Sequence, residues 1–418
     1  MLSRQNNELL TRVGPGTPLG TFMRRYWHPI ALSSQVADPD GPPLRTRLLG
    51  QRFVVFRDSE GRVGVLDEAC MHRGVSLALG RNEEGGLRCL YHGWKFSVDG
   101  EVLDMPNADC ALRRQMKAPA YPVREQSGLV WAYIGPPEFR PAFREFAFDA
   151  VPEANRTVFR ANVKANWLPV IEGGLDSSHV AFLHTNLVRP GWRDRADQGA
   201  EPNPWENLRP QLEIENTAFG FHYCALRQVP GQKRNARLVP AILPNIRLIP
   251  YGPYTVWTVE VPMDDEETAS YVLTYSADAP VDREREARMF GFESPLYDPV
   301  TCDFDFQWSG AFGQDRSSMD RSWSGYAGVE LEDMAISASI GPDWDRTREH
   351  LVESDIAIVH LRRRLMEALR LFDQGEAPIG ASFADMRPVS CFDRTLGEAD
   401  KWQDCLPDYG AIYSLAAS

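Results

Sequence analysis

The 418-residue chain has no run of about 18 apolar residues that would span a bilayer. Its opening stretch, MLSRQNNELLTRVGPG, has no apolar core of the kind a secretory leader needs. A cytoplasmic protein with no membrane partner is expected. Positive charge is in deficit: 45 Lys and Arg face 58 Asp and Glu, for a net charge of −13. With the acids spread along the chain, this argues against nucleic acid or an anionic membrane surface as partner. No glycine-rich loop after an early strand marks a dinucleotide site, so any reducing equivalents have to come from another protein. Histidine is scarce, with eight residues, and cysteine is both scarce and odd, with seven. Five cysteines, Cys110, Cys224, Cys302, Cys391 and Cys405, lack paired spacing and read as reduced, mostly buried thiols. Neither an internal repeat nor a low-complexity tract is present.

What is there is concentrated between Cys70 and Trp94. CMHRG at Cys70–Gly74 and CLYHGW at Cys89–Trp94 each offer one thiolate and one imidazole, with 16 residues between His72 and Cys89. C-x-H and C-x-x-H together suit a [2Fe–2S] cluster with one iron on sulfur and the other on nitrogen. A structural zinc accepts the same donor set, though usually as a cysteine pair followed by a histidine pair. Mixed loops favour the two-iron cluster, and Gly74, Gly85, Gly86 and Gly93 allow the tight turns required.

A second constellation lies in ANWLPVIEGGLDSSHVAFLH, Ala165–His184, where Asp176, His179 and His184 form D-x-x-H-x-x-x-x-H. Two histidines and a carboxylate on one face of an iron leave positions open for dioxygen and substrate. Five residues separate the histidines by about 140° on a regular helix. The helix predicted over Val163–His184 is therefore expected to widen or unwind near the metal. On the helix predicted over Asp345–Phe372, Asp355 falls within an apolar stripe, and Arg362 on that stripe is about 10.5 Å of rise away. Metal ligation explains such a buried carboxylate, and an arginine from another element is the alternative. Asp176, one turn from His179, is placed to orient it.

The cysteine–histidine pair resembles the Rieske signature, and the sequence after it resembles the catalytic part of Rieske non-heme iron oxygenases of the phthalate-dioxygenase type. The likeness runs from VGPGTPLGTFMRRYWHP through LRCLYHGWKFSVDG to QDRSSM and DRTREHL. It implies an α+β chain: a small antiparallel β Rieske domain, then a helix-grip catalytic domain with an antiparallel sheet and flanking helices. The expected boundaries are an arm at 1–43, the Rieske domain at 44–135, a linker at 136–148 and the catalytic domain at 149–418.

By the same resemblance, Cys70, His72, Cys89 and His92 hold the cluster, and His179, His184 and Asp355 hold a mononuclear iron(II). Asn166 matches a position near that iron, with a plain helix-start polar residue as the equal alternative. Asp176 bridges an iron-bound histidine to His92 of a neighbouring subunit in a homotrimer or stacked hexamer. The implied activity is a terminal oxygenase that uses O2, and electrons from a separate flavin or iron–sulfur reductase, to hydroxylate an aromatic carboxylate. Oxidative O-demethylation is the alternative within the class, and an electron carrier with a non-catalytic ligand-binding domain is the alternative outside it. A substrate carboxylate calls for arginine, and Arg227, Arg237 and Arg247 lie on strand-like segments. The long aperiodic stretch Asn186–Pro210 is a candidate cover for a pocket, with a plain surface excursion as the equal alternative.

Overall fold

The computed structural model of the chain describes residues 2–192, 203–231, 233–342, 344–407 and 409–413. It divides into two compact units, Val13–Phe143 with Val261–Asp265, and Met1–Arg12 with Arg144–Glu260 and Glu266–Ser418. The N-terminal arm is thus not a separate body, because its first twelve residues belong with the larger unit. In the smaller unit, the returning segment is tied in by Leu49 N–H donating to Pro262 O and Gly50 N–H to Met263 O.

The smaller unit consists of three small antiparallel sheets. One joins Trp27–Leu32, Leu129–Tyr133 and Val123–Gln126, and the second joins Leu44–Leu48, Gln51–Arg57 and Val63–Asp67. The third joins Arg81–Glu83, Gly86–Arg88, Lys95–Phe96 and Val102–Asp104. Alternating apolar residues from the last two meet in a core that includes Val54, Phe56, Leu66, Leu87, Trp94 and Phe96. The cluster loops leave this core as near-copies of each other. Gly74 N–H donates to Cys70 O and Gly93 N–H to Cys89 O, while Cys70 N–H reaches Val75 O and Cys89 N–H reaches Trp94 O. Both closing glycines sit at positive φ, 75° and 76°, where a Cβ is strained.

The larger unit is built on a ten-stranded sheet. Its path runs Gln211–Thr217, Gly220–Val229, Lys233–Ile242, Ile246–Tyr251, Tyr254–Pro262, Thr268–Tyr275, Arg156–Val163, Asp303–Phe304 and Tyr297–Asp298, with Phe392–Gly397 pairing beside Lys233–Ile242. The long central strands alternate in sequence like strands with one buried face, yet are almost wholly buried, as in the all-buried Thr268–Tyr275, where Thr268, Ser270 and Thr274 are buried with the apolar residues. Helices Trp167–Leu175, Val329–Ile340 and Ile356–Asp373 complete the part that carries the site.

Candidate active site

The helix Trp167–Leu175 begins at Asn166, whose Oδ1 accepts Leu168 N–H, and ends where Asp176 turns extended at φ −85° and ψ 110°. The expected long helix therefore stops three residues before His179. A 3-10 turn, His179–Ala181, and a short helix, Thr185–Val188, carry the chain past His184. This break solves the angular problem posed by the five-residue spacing, since the two imidazoles are no longer on one regular helix. Gly174 permits the approach of Arg247, because a Cβ there would lie 1.8 Å from Arg247 Nε.

His179 Nε2 and His184 Nε2 face each other at 3.1 Å. Asp333 Oδ1, from the helix Val329–Ile340, stands 3.6 Å from the first and 3.2 Å from the second. Among the described residues, these three form one group whose ligand atoms all lie within 4.8 Å of one another. His184 Nδ1–H donates to Glu332 Oε2 at 2.6 Å, and Ser324 Oγ donates to the other oxygen of Glu332. That bond leaves Nε2 of His184 as the free lone pair. Burial disfavours charge on His184, but Asp333 and Glu332 outweigh it and push its pKa up to about 10, so the site favours a cation. Two imidazole nitrogens converging on one carboxylate suit a mononuclear iron.

This corrects the expectation for the third ligand. Asp355 precedes the helix Ile356–Asp373 and accepts the N–H of Val352 through Oδ2 at 2.8 Å. The supposed apolar stripe does not exist around it, because Leu351 and Val352 lie outside the helix and Val352 is 67% exposed. Arg362 is taken by Glu172, at 2.6 and 2.9 Å, and by Glu349. Asn166 takes the helix-start role of its two readings: it caps a helix, its Nδ2 donates to Thr11 O at 3.0 Å, and it lies outside the cavity wall. Asp333, Glu332 and Glu330 escaped sequence reasoning, although the run VELEDMA, three acids among apolar residues near the start of one helix, was a readable signal.

At the other metal site, the donors separate into two pairs. Cys70 and Cys89 face each other, and the rings of His72 and His92 have centroids 4.4 Å apart. No three of the four donors come within 4.8 Å of one another, as a single zinc would demand and a two-iron cluster would not. His72 Nδ1 is a buried nitrogen with no hydrogen-bond partner, and both Cys70 and Cys89 are buried. Both features suit metal ligation.

A cavity of about 380 Å³ reaches His179, His184 and Asp333, with Val239, Ile249, Val256, Val272 and Phe290 among its walls. Arg237 and Arg247 line it; Arg227 does not. Arg237 pairs with Asp393 at 2.9 Å, its register partner on the neighbouring strand. Arg247 pairs with buried Glu260 at 2.8 Å. Arg227 lies behind the wall, donates to Ser177 O and Oγ, and stacks on Trp205 with Arg237 on the same ring. From the stretch expected to cover a pocket, Leu187, Val188 and Trp205 line the cavity, and residues 193–202 lie outside the described residues.

Residues 26–122 match the family described as Rieske [2Fe-2S] domain, and residues 132–409 match the LigXa C-terminal domain like family. The chain belongs to the Rieske non-heme iron oxygenases. It is 36% identical to the phthalate 4,5-dioxygenase oxygenase subunit of Pseudomonas putida, over 97% of this chain and 94% of that one. Identity to the 3-chlorobenzoate-3,4-dioxygenase oxygenase subunit of Comamonas testosteroni is 35%, over 92% and 93% respectively. Dicamba monooxygenase, solved with dicamba bound, shares the fold at a TM-score of 0.59 and 18% identity, over 85% of this chain and 100% of that one. This Rieske oxygenase is an oxidoreductase that uses a [2Fe–2S] cluster and a mononuclear iron. No helix among its described residues is long and apolar enough to cross a membrane.

Proposed function

We propose that this oxygenase is the terminal component of a multicomponent system that inserts oxygen from O2 into an aromatic carboxylate, with electrons from a separate flavin or iron–sulfur reductase. The reading is carried by one observation: His179, His184 and Asp333 converge on a cavity with a largely apolar wall that two arginines, Arg237 and Arg247, also line. Cys70, His72, Cys89 and His92 hold the cluster, and His179, His184 and Asp333 hold the single iron. When bound, the two centres supply one-electron storage and dioxygen activation.

The chain's own residues do the rest. Glu332 fixes the ring of His184, and the aliphatic and aromatic walls hold the substrate ring and exclude water. Arg237, held on the cavity wall by Asp393, is the guanidinium that receives the carboxylate. Phthalate and 3-chlorobenzoate, the substrates in the relatives' names, support an aromatic acid. A convergent two-histidine, one-carboxylate site has no place in a pure electron carrier.

Asp176 Oδ2 lies 3.8 Å from His179 Nδ1, a buried nitrogen without a hydrogen-bond partner. Asp176 also lines a second cavity of about 470 Å³, where Ile336, Ile340 and Trp344 are partly exposed. In the smaller unit, His92 is flanked by exposed Leu90 and Tyr91. These features support a ring-shaped homotrimer, or a stacked pair of them, in which Asp176 of one copy meets His92 of the next. Free cysteines among the described residues suit a reducing, cytoplasmic setting.

The test is iron analysis of purified protein together with product analysis under labelled dioxygen on a panel of aromatic acids and ethers. About three irons per subunit are expected, with label in a ring hydroxyl. Label lost with a cleaved methyl group would indicate O-demethylation instead, and two irons without turnover would refute the oxygenase reading for this chain.

A further inference from the structure

The cavity wall contains four acids, and three are committed. Asp176 accepts Ser178 N–H, Asp333 faces the two histidines, and Asp393 binds Arg237 and Asn235. The fourth, Glu330, lines the same cavity, is only 5% exposed, and has an Oε1 with no hydrogen-bond partner. The nearby cation, Arg247, is ion-paired to Glu260. A buried carboxyl oxygen left without a donor is costly, and native sites that contain one usually complete it with a ligand or water. Glu330 sits in the first turn of the helix that carries Asp333 three residues later, so a group bonded to it lies in the space next to the metal-binding residues.

We propose that Glu330 is a specificity-determining residue that accepts a hydrogen bond from a hydroxyl on the ring of an aromatic acid, so that the cavity prefers hydroxybenzoates to benzoates unable to donate. The inference rests on the reading of the cavity as an aromatic-acid site and narrows it. Arg237 takes the carboxylate, Glu330 takes the donor, and apolar residues such as Ile249, Val256 and Val272 take the ring. Neither anchor substitutes for the other, because one is a cation and the other a carboxyl. A methyl ether keeps the oxygen of the hydroxyl but loses its proton, and so isolates the hydrogen bond from size and apolarity.

The experiment measures equilibrium binding by calorimetry on the full-length, iron-loaded protein without reductant, so that no turnover occurs. The ligands are benzoate, the three monohydroxybenzoates and their methyl ethers. At least one hydroxybenzoate is expected to bind about tenfold or more tightly than both benzoate and its own methyl ether. Glu330→Gln keeps an acceptor and retains most of that ratio, whereas Glu330→Leu collapses it to within about twofold.

A purely structural role would weaken hydroxybenzoate and ether together and leave the ratio intact, which overturns the proposal. A wild-type protein that binds benzoate with no hydroxyl preference overturns it alone. A protein that binds no benzoate at all removes the aromatic-acid reading along with it. Should Glu330→Leu fail to fold, Glu330→Met, closer in length, takes its place, and the wild-type ratio still decides.

Discussion

A single carboxylate decides which part of the sequence holds the catalytic iron, and two substitutions separate the alternatives. Asp333→Ala removes one of three converging ligands, so iron is expected to fall from about three to about two per subunit, with the cluster spectrum unchanged. Asp355→Ala removes only a bond to Val352 N–H and is expected to leave all the iron in place; metal analysis with cluster absorbance reads both. Equal iron loss in the two variants would return the ligand role to Asp355. Glu332 acts one step out, by holding His184 Nδ1 at 2.6 Å. Glu332→Ala is expected to lower iron affinity or turnover by about 10- to 100-fold, measured by iron titration and by rate at saturating iron. The two cysteine–histidine loops stand out in the sequence because each is a short closed turn whose geometry its own residues set. The third iron ligand was not, since it comes from a distant helix that only the tertiary fold brings to the histidines.

At the scale of elements, the helix Trp167–Leu175 is anchored by a buried charge network. Arg362 binds Glu172 on that helix and Glu349 on another segment, and Arg346 stands 4.0 Å from Glu172 and 3.7 Å from Glu349. Removing one member leaves buried charge uncompensated, so Arg362→Met is expected to destabilise the protein by about 3–5 kcal/mol, measured by denaturant titration. Because the partners share one network, variants at Glu172 and Arg362 should not add. The helical period around Arg362 was readable, but its start was not. Capping turns before Ile356 displaced Asp355 from the helix, and a wheel drawn through them gave it a false apolar neighbourhood.

The strand Gly220–Val229 makes a pH prediction. His222 is fully buried, neither ring nitrogen has a hydrogen-bond partner, and burial lowers its pKa to about 3. Above its unfolded value of about 6.5 the ring is neutral in both states and contributes no pH dependence. Below it the unfolded chain takes up a proton that the folded chain refuses, so stability falls as pH falls, by roughly 2 kcal/mol between pH 6.5 and 5. His222→Leu should lack this increment. The quantity to measure is the difference in unfolding free energy between wild type and variant at the two pH values, and a pH-independent difference would show that His222 is protonated in the fold.

At the scale of the whole molecule, one chain carries the donors for both metal centres, yet each belongs to its own compact unit. The proposed electron transfer between neighbouring copies of a homotrimer makes a sharp prediction through complementation. Cys89→Ala subunits, which lack a cluster, and Asp333→Ala subunits, which lack the single iron, are each expected to be inactive alone. Co-expressed with different affinity tags and purified through both, every mixed trimer contains one or two copies of each kind. Around a head-to-tail ring of three, either composition offers one junction at which an intact cluster faces an intact iron site. Tandem-purified mixtures should therefore turn over at about one third of the wild-type rate. If electrons stay within a chain, no mixed trimer works at all, because no single subunit holds both centres. Asp176→Asn placed on the iron-competent subunit should abolish the rescue, and placed on the cluster-competent subunit should leave it intact. That asymmetry separates a bridging carboxylate at the receiving site from one whose loss merely weakens assembly.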